Sequence, residues 1–277
     1  MTPQQGLLRG NRYSILIERI FANHYREGIE EFIFDRSELV DVAQQEGIAL
    51  PKNLGDIVYS FRYRAELPES VRSRLPEGWT WLIWPAGSSR YKFIATDRDV
   101  VITPNTALPL IKIADSTPGI ISKYSLTDEQ ALLAKLGYCR LLDVFTGITC
   151  YRLQSHLRTQ VADMGQVETD DVYIGIDKRG ANYILPVQAK GKRDKLSIVQ
   201  VAQDLAMSQK KFPDLLCRAI SAQFMLDGSI ALFSFENALS GPVPTLIAER
   251  HYCLVPHEHL TADDLQVYAE RPDEPTI

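Results

Sequence analysis

Apolar residues recur every three or four positions through the first part of the chain and every second position in several later runs. From Arg12 to Arg26, Leu16, Ile17, Ile20, Phe21 and His24 share one helical face, which predicts an amphipathic helix closed by Gly28. Asp35 opens a second predicted helix: Glu38 completes a capping-box-like pair, and Leu39, Val42 and Ala43 line the inner face up to Gly47. After Pro51 a third helix buries Leu54, Ile57, Val58 and Phe61 and turns Asn53, Asp56, Ser60, Arg62 and Arg64 outward. Trp79 to Trp84, the turn residues Pro85 to Ser89, and the alternating Tyr91 and Phe93 then read as a β-hairpin, with Arg90 and Lys92 behind its Gly-Ser tip.

Three helices followed by a hairpin resembles a winged helix-turn-helix. That resemblance implies a third helix in the DNA major groove and a wing on the backbone, with Arg62, Arg64, Arg90 and Lys92 as contacts. A small helical domain making protein contacts has the same order of elements. Residues 1–101 form this first expected domain, and the proline-rich stretch within 102–124 reads as a linker.

A second domain is expected over 125–277. Leu126-Thr-Asp-Glu, with Thr127 as cap, starts a long apolar stripe through Ala131, Leu132, Leu136, Leu141 and Val144 to Gly147. Ile148 to Val161 reads as a strand, and Asp171 to Ile176 and Tyr183 to Ala189 as two more, joined by Asp177-Lys-Arg-Gly-Ala-Asn. Leu196 to Ser208 is helical, and Leu216 to Phe224 and Ser229 to Phe235 are apolar strands. With the turn centred near Gly180, Lys190 falls opposite Asp171 and Gln188 opposite Tyr173. Gln188 and Lys190 then share a face, close to Glu168, Asp170 and Asp171 at the start of the neighbouring strand.

An acid on one strand and Gln188-Ala-Lys190 on its hairpin partner, between helices in this order, resembles the PD-(D/E)xK nucleases. The resemblance implies a restriction-endonuclease-like α/β fold, a mixed sheet flanked by helices, preceded here by the winged-helix-like domain. It identifies Asp170 as the metal-binding aspartate, with Asp171 as the rival assignment, Gln188 in the place of the second acid, and Lys190 as the lysine. Gln for Asp or Glu is a departure that removes a negative charge from the site; Glu168 stands near enough to compensate. Glu129 and Asp143 are candidates for the helical acid common in the family.

Magnesium, for which manganese can substitute, takes oxygen ligands. Asp170, the Gln188 amide, the main-chain carbonyl of Ala189 and a scissile phosphate would provide them. The expected chemistry is phosphodiester hydrolysis, with Lys190 orienting water or meeting developing charge. The plain alternative is a surface salt bridge between Asp171 and Lys190. Lys192, Arg193 and Lys195 follow as phosphate contacts, with Lys178 and Arg179 at the turn. Gln200 and Gln203, and Gln154, His156 and Arg158, are further polar candidates.

Composition changes this picture in one respect. The 277 residues carry 30 Lys and Arg against 35 Asp and Glu, a net charge of -5. Residues 248–277 hold seven acids and two bases, so the rest of the chain is balanced and the mild acidity does not argue against DNA. No apolar run is long enough to cross a bilayer and no secretion signal opens the chain, so a cytoplasmic protein with reduced cysteines is expected. His251, Cys253, His257 and His259 offer zinc-ligand types in no common finger spacing, and no P-loop, dinucleotide or serine-hydrolase motif occurs. The expectation is a two-domain magnesium-dependent endonuclease of restriction or phage defence, acting on double-stranded DNA and dimeric if it cuts both strands. A DNA-binding regulator that has kept the nuclease fold, and a protein-interaction module, are the alternatives.

Overall fold

The computed structural model describes residues 3–125, 128–238 and 241–270, with side chains from Arg12 onward. The expected cap at Thr127, and the end of the acidic tail, lie outside them. The chain forms two compact units, residues 1–101 with 160–166, and residues 102–159 with 167–277.

In the first unit, α1 (Pro3–His24) leads to β1 (Glu31–Asp35), α2 (Glu38–Gln45), α3 (Gly55–Tyr63), α4 (Glu69–Arg72) and the hairpin β2 (Thr80–Pro85) and β3 (Arg90–Thr96). Strand β1 is not in the helical pattern read from sequence. It forms because Phe32 and Phe34 alternate inward onto Phe93, and it adds to the hairpin as an antiparallel sheet in the order β1-β3-β2. The second helix therefore starts at Glu38 rather than Asp35. The reciprocal half of a capping box survives, since the Asp35 amide donates to Glu38 Oε1 at 2.7 Å. Leu16, Ile17 and Ile20 of α1, Leu39 and Val42 of α2, Ile57 and Val58 of α3, and Trp81 and Phe93 of the sheet form one core. A short strand, β4 (Val101–Ile102), ends this stretch.

The second unit is α/β, built on a large mixed sheet flanked by helices. Its elements are β5 (Leu110–Ala114), α5 (Gly119–Tyr124), α6 (Asp128–Tyr138), α7 (Leu141–Thr146), β6 (Thr149–Val161), β7 (Gly165–Ile176), β8 (Asn182–Lys190), β9 (Leu196–Ser197), α8 (Ile198–Lys211), β10 (Leu216–Cys217), β11 (Ala219–Phe224), β12 (Ile230–Glu236), β13 (Thr245–Val255) and α9 (Ala262–Glu270). Strand order is β5-β13-β12-β11-β8-β7-β6, with β10 also on β8. β8 pairs parallel with β11, and β13 parallel with β5, while β7–β8, β11–β12 and β12–β13 are antiparallel.

Two expectations change here. The 102–124 tract, expected as a linker, contains α5 and the sheet strand β5. The Lys112 amide of β5 is taken by the Tyr268 hydroxyl at 2.9 Å and its ammonium by Asp264, so α9 covers that edge. The single helix expected from Ala131 to Val144 is broken into α6 and α7 at Arg140, whose φ is +53°. The break keeps Leu132 and Leu136 on one side of the corner, and Leu141 and Leu142 on the other, all in one core. Asp143, bonded to Arg140 and to the Cys150 amide at 2.9 Å, ties the second piece to β6.

Val187 and Ala189 belong to the core under α6, whereas Gln188 is bonded to Asp204 of α8. Neighbouring strand residues point to opposite faces, so α6 and α8 cover opposite sides of β8. Strand β6, at the other edge of the sheet, exposes Tyr151 and Leu153 and carries Arg152, His156 and Arg158 with no acid.

Candidate active site

The turn between β7 and β8 sets the site. Asp177 Oδ1 accepts the amides of Arg179 and Ala181 at 2.8 and 2.9 Å, and Gly180 adopts φ +84°. This five-residue turn is centred on Arg179, so Asp171 pairs with Val187 and Tyr173 with Leu185. The expected pairs, Lys190 with Asp171 and Gln188 with Tyr173, are displaced by three residues. An odd displacement exchanges faces. Asp171 therefore points away from Gln188 and Lys190, fully buried, with its Oδ2 on the Arg152 guanidinium and its Oδ1 unpartnered. The surface salt bridge between Asp171 and Lys190 does not form.

Regular pairing of β7 with β8 stops at Asp171 and Val187, and the side chains take over. Asp170 Oδ2 accepts the Ala189 amide at 2.8 Å. A strand residue turns its N–H and C=O to the same edge, so the Ala189 carbonyl also faces Asp170. Gln188 is 2% exposed; its Nε2 donates to the Glu168 carbonyl at 3.0 Å and to Asp204 Oδ1 at 3.3 Å. Thr169 donates to the same Asp204 oxygen at 2.5 Å. The Lys190 ammonium lies 3.6 Å from Glu129 of α6. The carboxylate of Glu168 is turned outward to Arg158 at 2.8 Å, so this residue gives the cluster only its carbonyl.

Electrostatics follow from burial. Desolvation raises the Asp170 carboxyl above its ordinary range, against the Ala189 amide and the charge of Lys190, while Glu129 adds to the rise. Desolvation pushes Asp204 up to about 8, although the Thr169 and Gln188 hydrogen bonds oppose it.

Beside Lys190, a cleft of about 590 Å³ is lined by Asp128, Glu129, Gly191, Lys192, Arg193, Asp194 and Leu226. Gly191 lets the loop approach α6, since a Cβ there would sit 3.1 Å from that of Asp128. Lys195 is exposed in the same loop, Gln203 is buried, and Arg179 is committed to Asp177. Asp143, tied to Arg140 and Cys150, is not part of the cluster. His156 is exposed on β6 with φ +49°. In the first unit, Arg62 of α3 and Arg64, its C-terminal cap residue, lie 4.9 Å over the rings of Tyr63 and Tyr59; Arg90 is exposed and Lys92 is 3.2 Å from Glu31.

The oxygens that could meet a cation here are those of the Asp170 carboxylate, the Ala189 carbonyl and the Gln188 amide, whose nitrogen is bonded to Glu168 and Asp204; such a set would suit a hard cation such as magnesium or manganese. Among the described residues, no three His, Cys, Asp or Glu side chains converge as a metal group. His251 is buried and bonded to Glu249 at 2.8 Å, apart from the exposed His257 and His259.

Thr169 and Asp204 are the members of this cluster that the sequence reading missed. A signal for Asp204 exists: it sits in the buried stripe of α8 between Val201, Leu205 and Ser208, where a charge needs a partner. Among the described residues, no helix is long and apolar enough to cross a membrane. No protein-family model matches the chain, and neither do curated proteins or solved structures.

Proposed function

We propose that this protein is a magnesium-dependent DNA endonuclease, with a restriction-endonuclease-like second unit and a winged-helix-like first unit that reads DNA. One observation carries the reading: Asp170, the Ala189 main chain, Gln188 and Lys190 gather where β7 and β8 stop pairing, beside a cleft of mixed charge lined by Lys192 and Arg193 together with Asp128, Glu129 and Asp194. Asp170, Gln188 Oε1 and the Ala189 carbonyl would hold the ion. When bound, the ion polarises a phosphoryl oxygen and makes a bound water more acidic. Lys190, held near Glu129 in the absence of substrate, meets the charge that develops on the phosphate. Lys192 and Arg193 contact flanking phosphates, which fixes the strand without reading its sequence. In the first unit, Arg62, Arg64 and the tip of the hairpin, with Arg90 and Lys92, take the backbone and groove contacts. Cutting both strands requires two sites, hence a homodimer on DNA. Restriction or phage defence is the role such an activity fits.

The test is cleavage of plasmid and phage DNA with magnesium by the wild type, Asp170→Asn and Lys190→Ala. Loss of one stabilising group in the transition state lowers the rate by about 10²–10³. Equal cleavage by wild type and Lys190→Ala would remove Lys190 from the mechanism. The glutamine at 188, which leaves the site one carboxylate short, favours a second reading: a DNA-binding regulator without cleavage. Salt-dependent DNA affinity with no cleavage of cognate or random sequence, with or without manganese, would establish it.

A further inference from the structure

We propose that Asp204, with Thr169, is a positioning residue for the Gln188 amide, holding its nitrogen so that its oxygen is the atom left for a cation at the Asp170 site. The inference rests on the nuclease reading of that site. A carboxylate offers a cation the same atom whichever way it is turned. The two ends of a glutamine amide have nearly the same shape and opposite roles, one an acceptor and one a donor pair. A free Gln188 would present its nitrogen as readily as its oxygen, and the nitrogen cannot bind a hard cation.

The surroundings of Gln188 decide between the two. Its Nε2 faces two acceptors, the Glu168 carbonyl at 3.0 Å and Asp204 Oδ1 at 3.3 Å. Turning the amide over would place its oxygen against the Glu168 carbonyl, which can only accept, and lose the bond to the Asp204 oxygen that Thr169 already holds. Of the two acceptors, Asp204 is the one supplied by a side chain, and it is 1% exposed on α8. Thr169, itself fully buried, donates to the same Oδ1 at 2.5 Å and holds it in place. A buried carboxyl in the apolar stripe of a helix is costly, and the hydrogen bonds to this one come from Thr169 and Gln188.

The test measures Mn²⁺ binding to the full chain by electron paramagnetic resonance and calorimetry, with circular dichroism to confirm folding. Asp204→Ala is expected to weaken Mn²⁺ binding about 10- to 100-fold, the usual effect of removing a group that orients a ligand. Asp204→Asn keeps the acceptor and should stay within a few-fold of wild type. In a Gln188→Glu background both ends of side chain 188 are oxygen, so adding Asp204→Ala should no longer weaken binding. Unchanged binding in Asp204→Ala overturns the inference alone. So does equal loss in Asp204→Asn, which would make Asp204 itself a ligand, and so does a loss that persists beside Gln188→Glu. Absence of Mn²⁺ binding by the wild type overturns the nuclease reading and this inference together.

Discussion

Arg152→Ala should destabilise the second unit sharply, because it strands a buried charge next to the proposed metal ligand. Asp171 is 0% exposed and its Oδ1 has no partner, so the Arg152 guanidinium is what offsets its charge. Removing one member of a buried ion pair costs about 3–5 kcal/mol. Arg152 is 45% exposed at its outer side, which places the loss at the lower end, about 3 kcal/mol. With a urea dependence of about 2 kcal/mol/M, the midpoint falls by about 1.5 M. Asp171→Asn in the same chain removes the stranded charge and should recover about half of the loss, a coupling that a double-mutant cycle measures directly. All three tryptophans, Trp79, Trp81 and Trp84, lie in the first unit, so far-UV circular dichroism, which follows the large sheet, is the readout for the second. A loss below about 1 kcal/mol, or a double variant no better than Arg152→Ala, would refute the argument that Asp171 is a charge held by Arg152.

Two further predictions concern the same unit. Burial works against ionisation of Asp115, but hydrogen bonds from Lys135 at 2.7 Å and from Thr117 hold its carboxyl down at about 2. A depressed folded value means that the unfolded chain binds the proton more tightly, so this stabilisation is complete above about pH 4 and is lost as pH falls towards 2. It amounts to about 2 kcal/mol, and urea titrations of wild type and Asp115→Asn should converge as pH drops from 5 to 2.5; a gap independent of pH would exclude this origin. Gly175→Ala places a Cβ 2.3 Å from Ile148 Cγ2 and 3.2 Å from Leu185 Cδ1. Overpacking of that kind costs about 1–3 kcal/mol, read as a fall in Tm of about 2–4 °C per kcal/mol, and Ile148→Ala should relieve part of it; an unchanged Tm would mean that β6 and β7 do not pack as closely as described.

The long periodic elements were legible in the sequence because one face of each is buried: the stripe of α1, the hairpin β2–β3, and α8. Strand β1 was not, since Glu31-Phe-Ile-Phe-Asp is too short to stand apart from the helices on either side, and only the packing of Phe32 and Phe34 on Phe93 selects it. The break at Arg140 was hidden for another reason. Gly137 stands just before it, but inside a continuing apolar stripe, and a left-handed arginine is fixed by the contacts of the corner it makes. At the candidate site, the residue types and their strand were readable, but their partners were not. Register depended on Asp177 gathering two amides, which moved the turn centre to Arg179 and parted Asp171 from Lys190. Asp204 lies 16 residues from Gln188, and only the tertiary fold brings them together.

The two edges of the large sheet differ. On β5 the outward amide of Lys112 is already occupied by the Tyr268 hydroxyl, and the Lys112 side chain is pinned to Asp264 of the same helix. On β6 the Cys150 amide is taken in the same way by Asp143, but from Tyr151 to Arg158 the strand is largely exposed, and its 13 residues hold two arginines and a histidine but no acid. Further strand pairing on the large sheet would therefore add along this exposed length of β6 and not at β5.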